Sequence, residues 1–250
     1  MYRDYQLNNK KQRLILAFLF YINISNANIY VAYYATQNGN TGHIGIAVDN
    51  YDIKVRDFYN NNTYSSKEDS VKNGTLSYFD LWPAKAIAKI WQIQNDYEPL
   101  YIQYPKSDFD APFYLEDLFV TGIPKKKKKT LDGLLQINTT AKQDFLLRKA
   151  IDSLINTNRK YNAVKYNCTD FVKTILSIHF GKKIKIKREH ILYAGFYTPN
   201  RLFKKLQKEA NIELLIDPKE KTKGHFFRER FLKRIFHKQD YFDEKINSTT

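Results

Sequence analysis

The sequence predicts an α+β protein in which an antiparallel sheet packs against a helix that carries a cysteine at its N-terminus. Gly42 to Asp49 alternates, with Ile44, Ile46 and Val48 on one face and His43, Gly45 and Ala47 on the other, the period of a strand. From Cys168 onward Phe171, Val172, Ile175 and Leu176 fall at i+3, i+4, i+7 and i+8, the spacing of one buried helical face. A hydrophobic fraction of 43% with 15% aromatic residues over 250 residues is enough for the core that such a sheet and helix need.

Residues 1–27 read as a secretory signal peptide. Lys10, Lys11 and Arg13 precede the apolar run Leu14 to Ile22, and Ser25-Asn26-Ala27 ends with small residues at the two positions a signal peptidase inspects. The run is short for a membrane span; an uncleaved anchor and a buried N-terminal helix are the alternatives. Cleavage removes four cationic side chains and one anionic one, taking the formal charge from +15 to +12. Export, to a periplasm or the exterior, leaves the single cysteine with no internal disulfide partner, so Cys168 is either inert and buried or kept for reactivity.

Asn28 to Tyr34 reads as a strand, and Thr36 to Thr41 has turn chemistry. In the strand that follows, the small residues beside His43 predict a facing partner that packs close, with the cysteine helix as the candidate. Residues 50–74 are polar, apart from Tyr51 to Phe58, which can extend the hairpin. Thr75 to Trp82 is a further strand stopped by Pro83, and it sets Asp80 among aromatics. A carboxylate there needs a partner, for which a histidine nitrogen is one candidate; capping the next turn is the other. A short helix is expected over 84–96, a strand over Leu100 to Tyr104, and a solvated loop at the lysine run Lys125 to Lys129, where an anionic polymer can also bind.

Gly133 to Asn138 reads as a strand, and Thr140 with Gln143 forms a capping box that opens a helix to Asn156, burying Leu147, Ile151, Leu154 and Ile155. Asn167 is a good N-cap with Asp170 three positions on, which puts Cys168 at the first helical position, where free amides and the helix dipole favour a thiolate. Thr198-Pro199 announces a last helix burying Leu202, Phe203 and Leu206, and Ile212 to Ile216 a last strand. From Asp217 the chain is dominated by charge, with a basic-aromatic stretch Phe226 to Phe236 that can lie on an anionic membrane. The organisation is therefore 1–27 signal peptide, 28–216 domain, and 217–250 basic appendage. Composition selects no partner class. No zinc-ligand spacing, phosphate loop, repeat or nucleic-acid motif is present, so no cofactor and no nucleic-acid partner is expected.

A Gly-His-Ile-Gly strand followed much later by Tyr-Asn-Cys-Thr-Asp-Phe-Val at a helix start resembles the circularly permuted NlpC-type, papain-like cysteine peptidase and amidase superfamily, with its lecithin-retinol acyltransferase-like relatives. Phe79 to Pro83 is also similar to a segment of exported bacterial members. The resemblance covers about residues 28–215. It implies a permuted papain-like fold, Cys168 as nucleophile and His43 as its general base. It also implies a third polar residue from the strand after the histidine strand, for which Asp80 is the first candidate and Asp57 the second.

The function this implies is an exported thiol hydrolase, acting as a monomer on an amide such as a peptide or cell-wall peptide bond through an acyl-enzyme. The alternatives are a thiol acyltransferase or lipid esterase at a membrane surface, and a non-catalytic binding module on the same fold.

Overall fold

The computed structural model describes residues 27–35, 42–60, 63–87, 90–107, 110–126, 130–191 and 194–218, with the backbone alone at 53–60, 63–70, 90–91, 126 and 191. Residues 1–26 of the expected signal peptide, the expected turn at 36–41, the lysines 127–129 and residues 219–250 of the expected basic appendage lie outside the described residues.

Strand β1, Ala27–Tyr34, is apolar at nearly every position and buried along its whole length. A strand of that composition belongs in the middle of a sheet covered on both faces. It is flanked by β2 (His43–Asn60) and β5 (Gly133–Thr139) in a sheet ordered β4-β3-β2-β1-β5-β8, with β3 at Thr63–Pro83, β4 at Pro99–Tyr104 and β8 at Ile212–Ile216. Every neighbouring pair is antiparallel. Two three-residue strands, β6 (Glu189–Ile191) and β7 (Ala194–Phe196), pair separately. Three helices, α2 (Ala141–Asn156), α3 (Cys168–His179) and α4 (Pro199–Leu206), share one core with the sheet, and α1 (Leu115–Val120) belongs to the other.

Alternation divides the sheet between these two cores. Ile29, Val31, Ile44, Ile46 and Val48 cluster with Phe171, Val172, Ile175 and Leu176 of α3, while Tyr30, Ala32, Ala47 and Tyr78 cluster with Phe113, Leu118 and Ile123. The cysteine helix thus packs on the branched face of β2, not on its small-residue face. Gly45 makes room for Tyr78 instead: a Cβ there would lie 2.0 Å from the tyrosine hydroxyl.

Other elements differ from expectation for physical reasons. Among its described residues the segment 84–96 holds one 3-10 turn, Ile90–Gln94, because Pro83 and Pro99 are themselves register partners and the Ala84 N–H donates to Glu98 O at 2.9 Å, which closes the excursion as a loop. The hairpin runs past Phe58 to Asn60 and returns from Thr63, held by a backbone ladder to which hydropathy is blind. Helix α1 and the β6–β7 pair were unanticipated; both are too short to show a period.

A buried polar network pins α2 to β2 where the register shifts between Asp49 and Tyr51. Thr139 Oγ1 and the Tyr51 hydroxyl donate to the two oxygens of Asp144 at 2.6 and 2.9 Å, and Arg148 Nη2 donates to Asn50 Oδ1. Asp49 Oδ2 accepts from Asn28 N at 2.8 Å and from Lys72 Nζ at 2.7 Å. Burial pushes Asp144 up to about 6, against the pull of its two hydrogen bonds. Its folded pKa exceeds the ordinary 3.8, so its contribution to stability is full below that value and is lost as pH rises through about 6. Urea unfolding across that range should therefore show the wild type losing stability relative to the Asp144→Asn variant; parallel curves would contradict the assignment.

Candidate active site

The site forms at one end of β2, where the strand begins on His43 and α3 begins on Cys168. The start of α3 is fixed by two asparagines. Asn167 Oδ1 accepts from the amides of Thr169 and Asp170 at 2.8 and 3.2 Å, and its Nδ2 donates to Ala163 O at 2.9 Å and Tyr197 O at 3.1 Å. The Asp170 carboxylate accepts from the Asn167 amide, completing the capping box. The cap leaves the Cys168 amide out, as an anion-binding first turn requires.

The turn before it is built on Asn162. Its Nδ2 donates to Gln94 O and Asp96 Oδ1 at 2.8 and 2.7 Å, and its Oδ1 accepts from the amides of Val164 and Lys165 at 2.9 and 3.0 Å. Nine-tenths or more of Cys168, Asn162 and Asn167 is buried, and the bonds of the Asn167 cap to Thr169 and Asp170 form away from water.

His43, 2% exposed, is held on several sides. Its Nε2 donates to Asp80 Oδ2 at 2.9 Å, and the Tyr78 hydroxyl donates to the same oxygen at 2.8 Å. The Trp82 ring stacks on the imidazole, centroids 3.8 Å apart and 19° from parallel, and Lys125 Nζ lies 4.5 Å from the indole centroid. The register that pairs Ile46 with Phe79 and Ala47 with Tyr78, carried two and four residues toward the strand end, sets Asp80 beside Gly45 and Trp82 beside His43. The β2–β3 pairing therefore places the whole set, and Gly45 is small because the Tyr78 phenol occupies the space above it.

With Nε2 engaged, Nδ1 is the nitrogen left to face Cys168, whose thiol lies close enough for its charge to act on the ring. Burial alone pulls the His43 pKa down; the charges of Cys168 and Asp80 and the Asp80 hydrogen bond outweigh it, and the imidazole is held above its ordinary 6.5. Burial, then the Asp80 charge and hydrogen bond, push the Tyr78 phenol well above 10, so it remains a donor. Asp80 Oδ1 is buried and has no hydrogen-bond partner among the described residues.

The structure thus brings His43, Asp80 and Cys168 together. It separates Asp57, which lies on the same strand as His43 fourteen positions further on, opposite Ser66. Tyr78, Trp82 and Asn162 are not singled out as site residues by the sequence, which reads Gly45 as room for the cysteine helix rather than for a tyrosine. A period-2 reading of Thr75 to Trp82 puts Tyr78, Asp80 and Trp82 on one strand face and is the signal that finds them. A groove of about 340 Å³ lies between β4 and the turn after Pro124, lined by Tyr104, Lys106 and Lys125, and does not include Cys168. Among the described residues no group of three or more His, Cys, Asp or Glu side chains is placed to hold a metal ion.

No family model, curated protein or solved structure matches this chain.

The Asp80→Asn variant removes the charge facing Nε2, so the His43 titration midpoint, followed by NMR of its ring proton, should fall from above 6.5 in the wild type; an unmoved midpoint would separate Asp80 from the histidine. By the same sign, the stability His43 contributes is full below pH 6.5 and is lost as pH rises through its raised folded value. Gly45→Ala forces the buried phenol off its place and is expected to cost about 1–3 kcal/mol in urea unfolding; a loss near zero would mean Tyr78 swings aside freely.

Proposed function

We propose that this chain is an exported thiol hydrolase that cleaves an amide through an acyl-enzyme, on a permuted papain-like fold. The observation that carries the reading is a buried His43 ring bonded to a carboxylate at Nε2 and lying within electrostatic reach of the Cys168 thiol. A structural histidine needs one acceptor. An imidazole buried between an acid and a single free cysteine at a helix N-terminus has the arrangement of an activated nucleophile.

The chemistry runs in two halves. The Cys168 thiolate attacks the carbonyl carbon, and the amide of Cys168, free of the cap, donates to the oxyanion. Nδ1 of the His43 imidazolium gives its proton to the departing amine as the carbon–nitrogen bond breaks. Water then attacks the thioester, His43 takes its proton, and the acid leaves as the thiolate is restored. Asp80 keeps the ring in the tautomer that presents Nδ1 and stabilises the imidazolium, and Tyr78 and Trp82 hold the acid and the ring in register.

Labelling with a peptide-like thiol-reactive probe tests this. Cys168→Ala should abolish labelling, and His43→Ala should slow it about 10²–10⁴-fold at neutral pH. Undiminished labelling of the His43 variant would sink the ion-pair mechanism. Amide hydrolysis by the wild type should decline on the alkaline side at a pH above 6.5, where His43 loses its proton, and Asp80→Asn should move that limb to lower pH.

A further inference from the structure

We propose that cleavage between Ala27 and Asn28 creates a buried α-ammonium that completes the site of Asp49, so that removing the leader stabilises the mature fold. The inference rests on the export reading and is independent of the thiol chemistry.

The small residues Ser25 and Ala27 fix the bond to be cut, and the first strand of the structure begins at Ala27. The cut therefore falls at the edge of the folded domain. It removes one pairing, Ala27 with Thr139, and keeps the next, Asn28 with Asn138. In the reaction a signal peptidase adds water across the peptide bond: Ala27 departs with the leader as a carboxylate, and the Asn28 nitrogen becomes an amine that takes up a proton.

That nitrogen already has a buried acceptor. Asn28 N donates to Asp49 Oδ2 at 2.8 Å, and Asp49 is fully buried. Lys72 Nζ, 2.7 Å away, is directed at the same oxygen. The other oxygen, Asp49 Oδ1, is buried without a partner among the described residues, and so is Asn28 Oδ1. A backbone amide has one proton to give and an ammonium has three. Cleavage thus supplies two further donors beside two open acceptors, one of them a carboxylate oxygen, and turns a bond from a neutral amide to a carboxylate into an ion pair charged on both sides. A buried carboxylate short of donors is costly, and supplying its missing partner recovers that cost. The charged groups facing this point are Lys72 and Arg148 on one side of the balance and Asp49 and Asp144 on the other. Burial raises Asp49 from its ordinary value despite Lys72, in keeping with a buried oxygen that lacks a donor.

The test begins with the full chain expressed in an exporting bacterial host, its product read by intact mass and N-terminal sequencing. Asn28 is the expected first residue. The mature chain with a free N-terminus should melt a few degrees higher than the same chain acetylated there, and Asp49→Asn should erase the difference. As a measure that needs no variant, the α-amine of the folded mature chain should react with an amine-acylating reagent at least about tenfold more slowly than in urea, as burial beside a carboxylate requires. A different first residue, equal melting of the free and acetylated forms, or equal amine reactivity in native buffer and urea overturns the proposal. Probe labelling of Cys168 in the same samples reports separately on the hydrolase reading.

Discussion

The hydrogen bond between His43 and Asp80 is the constraint around which this end of the molecule is arranged. Both side chains are buried, and neither a lone carboxylate nor a lone imidazole is tolerated there without a partner. Their meeting requires β2 and β3 to pair in one register, since a one-residue slip would turn Asp80 to the helix-covered face. The same register delivers the Tyr78 hydroxyl to the acid and the Trp82 ring to the imidazole, and it is sterically possible because position 45 has no side chain. Acid, ring and supporting aromatics are thus one consequence of a single strand pairing.

The thiol reaches this assembly by a different route. Helix α3 is anchored by Phe171, Val172, Ile175 and Leu176 against the branched residues of β2, which sets its direction, and by the Asn162 turn and Asn167 cap, which set where it starts. The helix covers one face of β2 while His43 belongs by alternation to the other. They come together because His43 is the first residue of its strand and Cys168 the first of its helix, so contact is made around the end of the sheet.

Much of this was legible in the sequence. The cap at Asn167, the capping box at Thr140, and the strands at Asn28 to Tyr34 and Gly133 to Asn138 are local signals, and the structure agrees with each. Asp80 could be preferred over Asp57 as soon as the former was seen among aromatics, and strand position supports the preference. What stayed hidden is non-local. The small face of β2 was taken as a seat for the helix, whereas it houses a tyrosine from the neighbouring strand, and alternation alone says that space exists without saying what fills it. The long polar hairpin and α1 carry little apolar periodicity, and Asn162 acts through contacts to residues 94 and 96 that only the closed chain brings near.

The central position of β1 has a consequence for the order of events during folding. Its partners come from opposite halves of the chain, β2 directly after it and β5 a hundred residues later, and Cys168 lies 125 positions beyond His43. Contacts of such span form late and slowly, because the loop they close must be ordered first. A chain still emerging, or ending before α3, can carry the histidine and its acid fully paired yet has no thiol to set against them. The juxtaposition of thiol and imidazole is thus made by completion of the fold itself and does not exist in a nascent chain.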